Sequence, residues 1–224
     1  SSGEAAVAAG EAALAEALRN QPPAPIAPTP APADPTTDAA SPASPDVSGD
    51  QITAVGDSVM LASAPGLLER LPGIDVDAEV SRSIWAGPGI LDSLAQAGRL
   101  RPYVVVALGT NGPVDPEPLE KMAATVGPAR TLVLVNAYAP RDWIPGVNAD
   151  LASFAETHPN VVLADWSSAI AQHEDLLAGD HIHPGAAGGR IFADTVASAV
   201  DELAAERRER AHDLAELLRA DLTR

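Results

Sequence analysis

Cysteine is absent from the 224 residues, which removes disulfides, thiolate metal ligands and a cysteine nucleophile together and leaves the redox compartment undetermined. Aromatic residues are scarce at 3%, and alanine carries much of the 46% hydrophobic content, so each large side chain is informative about position. Lysine is represented by Lys121 alone, and 14 basic residues stand against 31 acidic ones. The resulting net charge of −17 argues against a surface that tracks phosphates, so nucleic acid is not an expected partner. No run of about 18 apolar residues occurs, and no stretch reads as a bilayer-spanning helix. The chain starts Ser1-Ser2-Gly3, without an initiator methionine or a basic-then-apolar leader, and is expected to be a fragment of a longer polypeptide.

Four segments follow from composition. Residues 1–20 are alanine-rich and expected to be helical, with Leu14 and Leu18 giving only a thin apolar stripe. Residues 21–50 hold nine prolines in thirty positions. Proline at that density removes amide donors and fixes backbone angles, so the segment reads as an extended linker, in preference to a recognition sequence for a proline-binding partner. Residues 51–200 alternate short β-branched runs (52–55, 74–80, 103–108, 131–138, 161–163) with stretches long enough for two or three helical turns (61–71, 89–100, 116–126, 147–157). That alternation implies an α/β fold with one core, in which a five-stranded parallel sheet lies between helical layers. Ligands then sit outside the carboxyl ends of the strands. From residue 186 the chain reads as helix to its end, with residues 201–224 as a C-terminal helical extension. Leu214, Leu217 and Leu218 mark an apolar face there, expected to pack on the domain in preference to a partner or a membrane surface.

Three short motifs carry candidate chemistry. Gly56-Asp57-Ser58 follows the first strand and opens a helix, where Ser58 would be raised at the strand's carboxyl end with its amide at a helix N-terminus; Asp57 or Ser58 acting merely as a helix cap explains the position equally. Asp180-His181-Ile182-His183-Pro184 offers a carboxylate and an imidazole, with Pro184 restricting the backbone of His183. Two exposed histidines or a metal site are the bland readings of this loop, and no third ligand stands at matching spacing. Gly109-Thr110-Asn111-Gly112 follows the third strand, where Asn111 is either a turn former or a side-chain donor to an oxyanion.

Taken in order, Gly56-Asp57-Ser58, Gly109-Thr110-Asn111 and Asp180-x-x-His183 resemble three of the four motif blocks of the SGNH (GDSL) hydrolase superfamily, over about two-thirds of the chain. The resemblance implies a three-layer sandwich with a flavodoxin-like sheet. It also implies Ser58 as nucleophile, His183 as general base and then acid, and Asp180 as the residue that orients His183. An oxyanion hole of the Ser58 and Ser81 amides and the Asn111 side chain is implied as well. Ser81 stands where the family usually has a glycine. Neither a metal nor an organic cofactor is implied, and His181 has no assigned role.

A narrower resemblance rests on Val80-Ser81-Arg82, on Tyr138-Ala139-Pro140-Arg141-Asp142-Trp143 with Asn148, and on Ala164-Asp165-Trp166. These are similar to the SGNH domains fused behind acyltransferase-3 membrane proteins, which O-acetylate bacterial cell-envelope glycans. The resemblance implies acyl transfer to a sugar hydroxyl through an acyl-serine, with ester hydrolysis on the side. The implied partners are a membrane-embedded acyltransferase-3 domain of the same polypeptide as donor and an envelope glycan as acceptor, at the extracytoplasmic face of a bacterial membrane. Arg141, Trp143, Trp85 and Arg82 are candidate substrate contacts, against an Arg141 pairing with a surface acid, a Trp143 covering the sheet's end and an Arg82 holding its own loop; Trp166 is expected to pack in the core. A free carbohydrate esterase or lipase with the same three residues, and an inactive module that binds a glycan or a partner, are the competing readings.

Overall fold

The computed structural model describes residues 2–21 and 47–221. The segment 22–46, which contains most of the expected linker, lies outside the described residues. Five parallel strands, β1 (Ile52–Gly56), β2 (Asp75–Ala78), β3 (Tyr103–Ala107), β4 (Thr131–Val135) and β5 (Val161–Ala164), form one sheet in the order β2-β1-β3-β4-β5. Every residue of β1, β3 and β4 is buried, which explains why their sequences run apolar without alternating: both faces are covered.

The helices are α1 (Gly3–Arg19), α2 (Ser58–Arg70), α3 (Gly87–Gln96), α4 (Pro116–Val126), α5 (Ile144–Thr157), α6 (Trp166–Ala171) and α7 (Ala186–Asp221). One apolar cluster joins α2, α6 and α7 to the sheet through Met60, Leu67, Trp166, Phe192 and Val196. The other joins α3, α4 and α5 through Leu91, Leu119, Met122 and Leu151. The expected three-layer α/β sandwich is therefore the fold observed. Trp166 is buried as expected, edge-on to Phe192 with ring centroids 5.2 Å apart.

Two expectations about the flanks need correction. The linker was expected to reach residue 50, yet Val47 is already buried and its amide donates to Asp201 Oδ1 at 2.7 Å. The tail of α7 does not pack on the domain: Leu214, Leu217 and Leu218 are 58%, 68% and 58% exposed. A 36-residue helix is about 54 Å long, whereas the strands it crosses have four or five residues each. The buried positions of α7 accordingly stop near Ala204.

The strand order reverses at β1, which pairs with β2 on one side and β3 on the other. Chains leaving β1 and β3 therefore diverge to opposite faces and leave a crevice at their carboxyl ends. Gly56-Asp57-Ser58 and Gly109-Thr110-Asn111 are the segments that leave those two strands.

Candidate active site

Asp57 is the N-cap of α2, and its Oδ1 accepts from the Val59 amide at 2.9 Å. Ser58 is thus the first helical residue, whose amide has no partner inside the helix. Asp57 is buried, and burial pushes its carboxyl up to about 6 against the opposing pull of the Val59 amide and Thr110.

The loop before α7 brings the imidazole. It is pinned by an isolated bridge between Leu177 and Pro184 and by the Ala178 amide donating to the His183 carbonyl at 2.7 Å. His183 Nε2 lies 2.8 Å from Ser58 Oγ, and His183 Nδ1 lies 2.8 Å from Asp180 Oδ2. The other Asp180 oxygen, Oδ1, accepts from the amides of Ile182 and His183 at 2.9 and 3.0 Å. Burial pushes the Asp180 carboxyl up, but the His183 amide, the His183 ring and the Ile182 amide together outweigh it and hold the group below the usual carboxylate range. An ionised Asp180 makes Nδ1 the donor, which leaves Nε2 to accept from the Ser58 hydroxyl. Residues 125 positions apart thus form one continuous hydrogen-bonded line of hydroxyl, imidazole and carboxylate.

Ser81 and Asn111 stand beside it. Both line a cavity of about 530 Å³ together with Ser58, His183, Thr110, Arg141 and Trp143. Ser81 has φ +61°, the left-handed conformation that glycine adopts without strain, so the serine holds the glycine-like turn at some cost. Asn111 Nδ2 donates to the Arg82 carbonyl at 2.8 Å, which fixes the side chain and spends one of its two N–H groups. Trp143 Nε1 donates to the Thr110 carbonyl at 3.1 Å, anchoring the indole at the cavity edge.

Of the two roles open to Arg82, holding its own loop or facing a substrate, its contacts match the first, and Trp85 stands apart from the Ser58 cavity. The Arg82 guanidinium is spent inside its own loop, on the Asp77 carbonyl and carboxylate at 2.8 and 2.6 Å and on Glu79 at 3.2 Å. Trp85 is 56% exposed on the short turn Ile84–Ala86 and is not among the residues that line the Ser58 cavity. Asn148 acts as a clamp, its amide group paired twice with the backbone of Ala137 at 2.8 Å. His181, also left-handed at φ +58°, lines an adjoining cavity of about 770 Å³ that shares Arg141 with the first. Among the described residues no three His, Asp or Glu side chains converge as a metal site.

The helix α1 lies where a helix was expected, but its place against the Ser58 cavity is what sequence reasoning missed. Gly3, Glu4 and Val7 line the Ser58 cavity, and a Cβ on Gly3 would fall into the Asp180 carboxylate and 2.7 Å from His183 Nδ1. One signal was present, a row of small residues, Gly3, Ala6 and Gly10, on one side of an otherwise featureless alanine-rich helix.

No protein-family model matches the chain. Among curated proteins it is similar to the peptidoglycan O-acetyltransferase OatA of Listeria monocytogenes, at 31% identity over 143 residues, which is 64% of this chain and 23% of the relative. It is also similar to the putative peptidoglycan O-acetyltransferase YrhL of Bacillus subtilis, at 26% identity over 141 residues, 63% of this chain and 22% of the relative. The chain therefore spans less than a quarter of the length of these curated relatives. Among solved structures, the C-terminal catalytic domain of Streptococcus pneumoniae OatA, with a methylsulfonyl adduct, superposes with a TM-score of 0.62 at 27% identity over 67% of this chain and 92% of that one. A family 3 carbohydrate esterase of Clostridium thermocellum shares the fold, with a TM-score of 0.56 at 18% identity over 68% of this chain and 95% of that one. The resemblance to SGNH hydrolases, and among them to the catalytic domains of bacterial envelope O-acetyltransferases, is borne out by these likenesses.

Proposed function

We propose that the chain transfers an acyl group, acetyl by likeness to its relatives, to a sugar hydroxyl of a bacterial cell-wall glycan through an acyl-serine at Ser58. The observation that carries the reading is the hydrogen-bonded line Ser58–His183–Asp180, which opens at its hydroxyl end into a cavity. The names of the relatives supply the acyl group and the acceptor class.

In the first half-reaction His183 Nε2 takes the Ser58 proton while Oγ bonds to the ester carbonyl carbon of the donor. The resulting oxyanion is met by the Ser58 amide, the Ser81 amide and the second N–H of Asn111. Collapse breaks the bond to the leaving oxygen, which takes the proton from His183, and leaves acyl-Ser58. In the second half-reaction the acceptor hydroxyl gives its proton to His183 and attacks the acyl carbon, and Ser58 leaves with that proton. Asp180 keeps Nδ1 protonated throughout and stabilises the imidazolium without taking its proton. The cavity is bordered by the exposed residues Glu4, Asn111 and Arg141, so water reaches the intermediate and ester hydrolysis accompanies transfer. In this reading Arg141 and Trp143, which line the cavity, meet the sugar. The donor in the full protein is a membrane-embedded domain of the same polypeptide, and the site faces outward from the membrane. No helix among the described residues is itself long and apolar enough to cross one.

The test is turnover of an activated aryl acetate, with and without a neutral N-acetylhexosamine oligomer, by the wild-type chain and by Ser58→Ala and His183→Ala. Each substitution is expected to lower kcat by roughly 10³-fold or more. Unchanged turnover in both variants would remove the assigned roles and favour a binding module.

A further inference from the structure

We infer that the first two turns of α1 are a wall of the acceptor site, and that Glu4 and Val7 determine which sugar reaches Ser58. The inference rests on the function proposed above and names the acceptor more narrowly: a neutral, hydroxyl-rich sugar.

The seat of α1 is built for a glycine. Pro65 lies inside α2 and has no N–H, so the carbonyl of Leu61, four residues earlier, is left without its helical donor. Leu61 is buried, and the residue placed against that carbonyl is Gly10, where any Cβ would collide with the oxygen. The same row of α1 carries Ala6, also buried, and Gly3, which rests on the Asp180–His183 pair. Backbone-close packing along this row fixes the rotation of α1 about its axis, and that rotation sends Glu4 and Val7 into the Ser58 cavity.

The wall has a definite chemistry. Val7 adds apolar surface beside Val80 and Trp143, and Glu4 brings a carboxylate to a cavity whose other charged rim residue is Arg141. An acceptor carboxylate or phosphate on the α1 side would meet Glu4 in a protein of net charge −17, whereas sugar hydroxyls can donate to Glu4 and accept from Arg141. The hydrogen-bonded line takes no α1 side chain, so Glu4 and Val7 act on what enters the cavity and not on the line itself.

The experiment measures acetyl transfer from an aryl acetate to a neutral N-acetylhexosamine oligomer and to a carboxylated oligosaccharide of equal length, alongside hydrolysis without acceptor. Gly10→Val, which cannot seat against the Leu61 carbonyl, is expected to raise the neutral acceptor's KM by about tenfold. Glu4→Gln is expected to raise the same KM by about threefold and to narrow the preference for the neutral over the acidic acceptor. Unchanged acceptor KM and preference in Glu4→Gln and Val7→Ala overturns the inference, and so does a large acceleration of acceptor-free hydrolysis in Gly10→Val, which would make α1 a cover over Ser58. If Gly10→Val lacks a wild-type circular-dichroism melt, Glu4→Gln and Val7→Ala, which sit outside the core, decide the matter. A dead Ser58→Ala beside unaltered α1 variants defeats this inference alone; an active Ser58→Ala defeats the proposed function.

Discussion

Two serine-bearing polar networks stand on the same rim of the sheet and differ in what they leave open. In the first, Asp180 binds an imidazole whose far nitrogen meets the Ser58 hydroxyl at a cavity. In the second, at the ends of β4 and β5, Asp165 accepts from Asn136 Nδ2 at 2.7 Å and from the Ser168 amide at 3.1 Å, while Asn136 Oδ1 accepts from the Ser167 amide at 2.7 Å. Both aspartates are pushed up by burial and pulled below the usual range by the donors they accept from. The middle residue makes the difference. Histidine can carry a proton between its two sides, whereas the Asn136 amide cannot, and its bonds end on the Asp165 carboxylate and the Ser167 amide. The first network can pass a proton to an open cavity, as the proposed reaction needs, and the second ties α6 to β4.

The comparison can be broken at three places. Asp180→Asn leaves the loop's two amide acceptor bonds available but presents an amide to His183 Nδ1, which favours the wrong tautomer. Turnover is expected to fall by about 10³–10⁴-fold with little change in the melting temperature. Equal losses of activity and stability would mean that Asp180 serves the loop only.

Asp57 sharpens the contrast because burial dominates its carboxyl and no imidazole stands behind it. Its folded pKa, about 6, lies above the ordinary 3.8, so the folded chain binds the extra proton between those values. That contribution to stability is complete below the ordinary value and is lost as pH rises through about 6. Asp57→Asn keeps an N-cap oxygen and abolishes the charge, so urea titrations from pH 4 to 7 should show a flattened profile and a gain of roughly 2–3 kcal/mol at neutral pH. Parallel profiles for the two proteins would contradict this.

The smallest effect is expected at the closed network. Asn136→Ala removes the donor to Asp165 and the acceptor for the Ser167 amide, at a cost of about 1–2 kcal/mol in chemical denaturation, while kcat stays within a few-fold. A loss of activity comparable to that of Asp180→Asn would merge the two networks into one site.

How much of this was legible follows from how each part is specified. The strands were readable because Val104-Val105-Val106 and Leu132-Val133-Leu134 are buried on both faces, and a core of that kind writes itself as an unbroken apolar run. Ser58, Asn111, Asp180 and His183 were singled out by the resemblance of their motifs, in order, to the SGNH blocks, since position alone reads Ser58 and Asn111 equally as a cap and a turn former. The helix α6 was not anticipated: it has six residues, and its specification is the Asp165 cap together with Asn136, a partner 29 residues away. Arg82 was ambiguous because a guanidinium beside Asp77 and Glu79 in sequence serves a loop as readily as a ligand.

Apolar bulk was a poor guide to both flanking helices: it predicted packing for the tail of α7 and gave no packing reading for α1. The tail of α7 carries three leucines and meets no surface within the described residues, because the helix outruns the sheet. The helix α1, with almost no bulk, packs closely because Gly10 covers a carbonyl that Pro65 leaves bare. Close approach of backbones is encoded by what side chains lack, and hydrophobic periodicity does not register it.

The most direct measurement is the mass of the chain after brief exposure to an activated acetyl ester, quenched in acid and mapped by peptide. The expected result is one acetyl group on the peptide containing Ser58, absent in Ser58→Ala and discharged when a neutral sugar acceptor is added. An active chain that never carries acetyl on that peptide, even with deacylation slowed by low temperature, would contradict the covalent route.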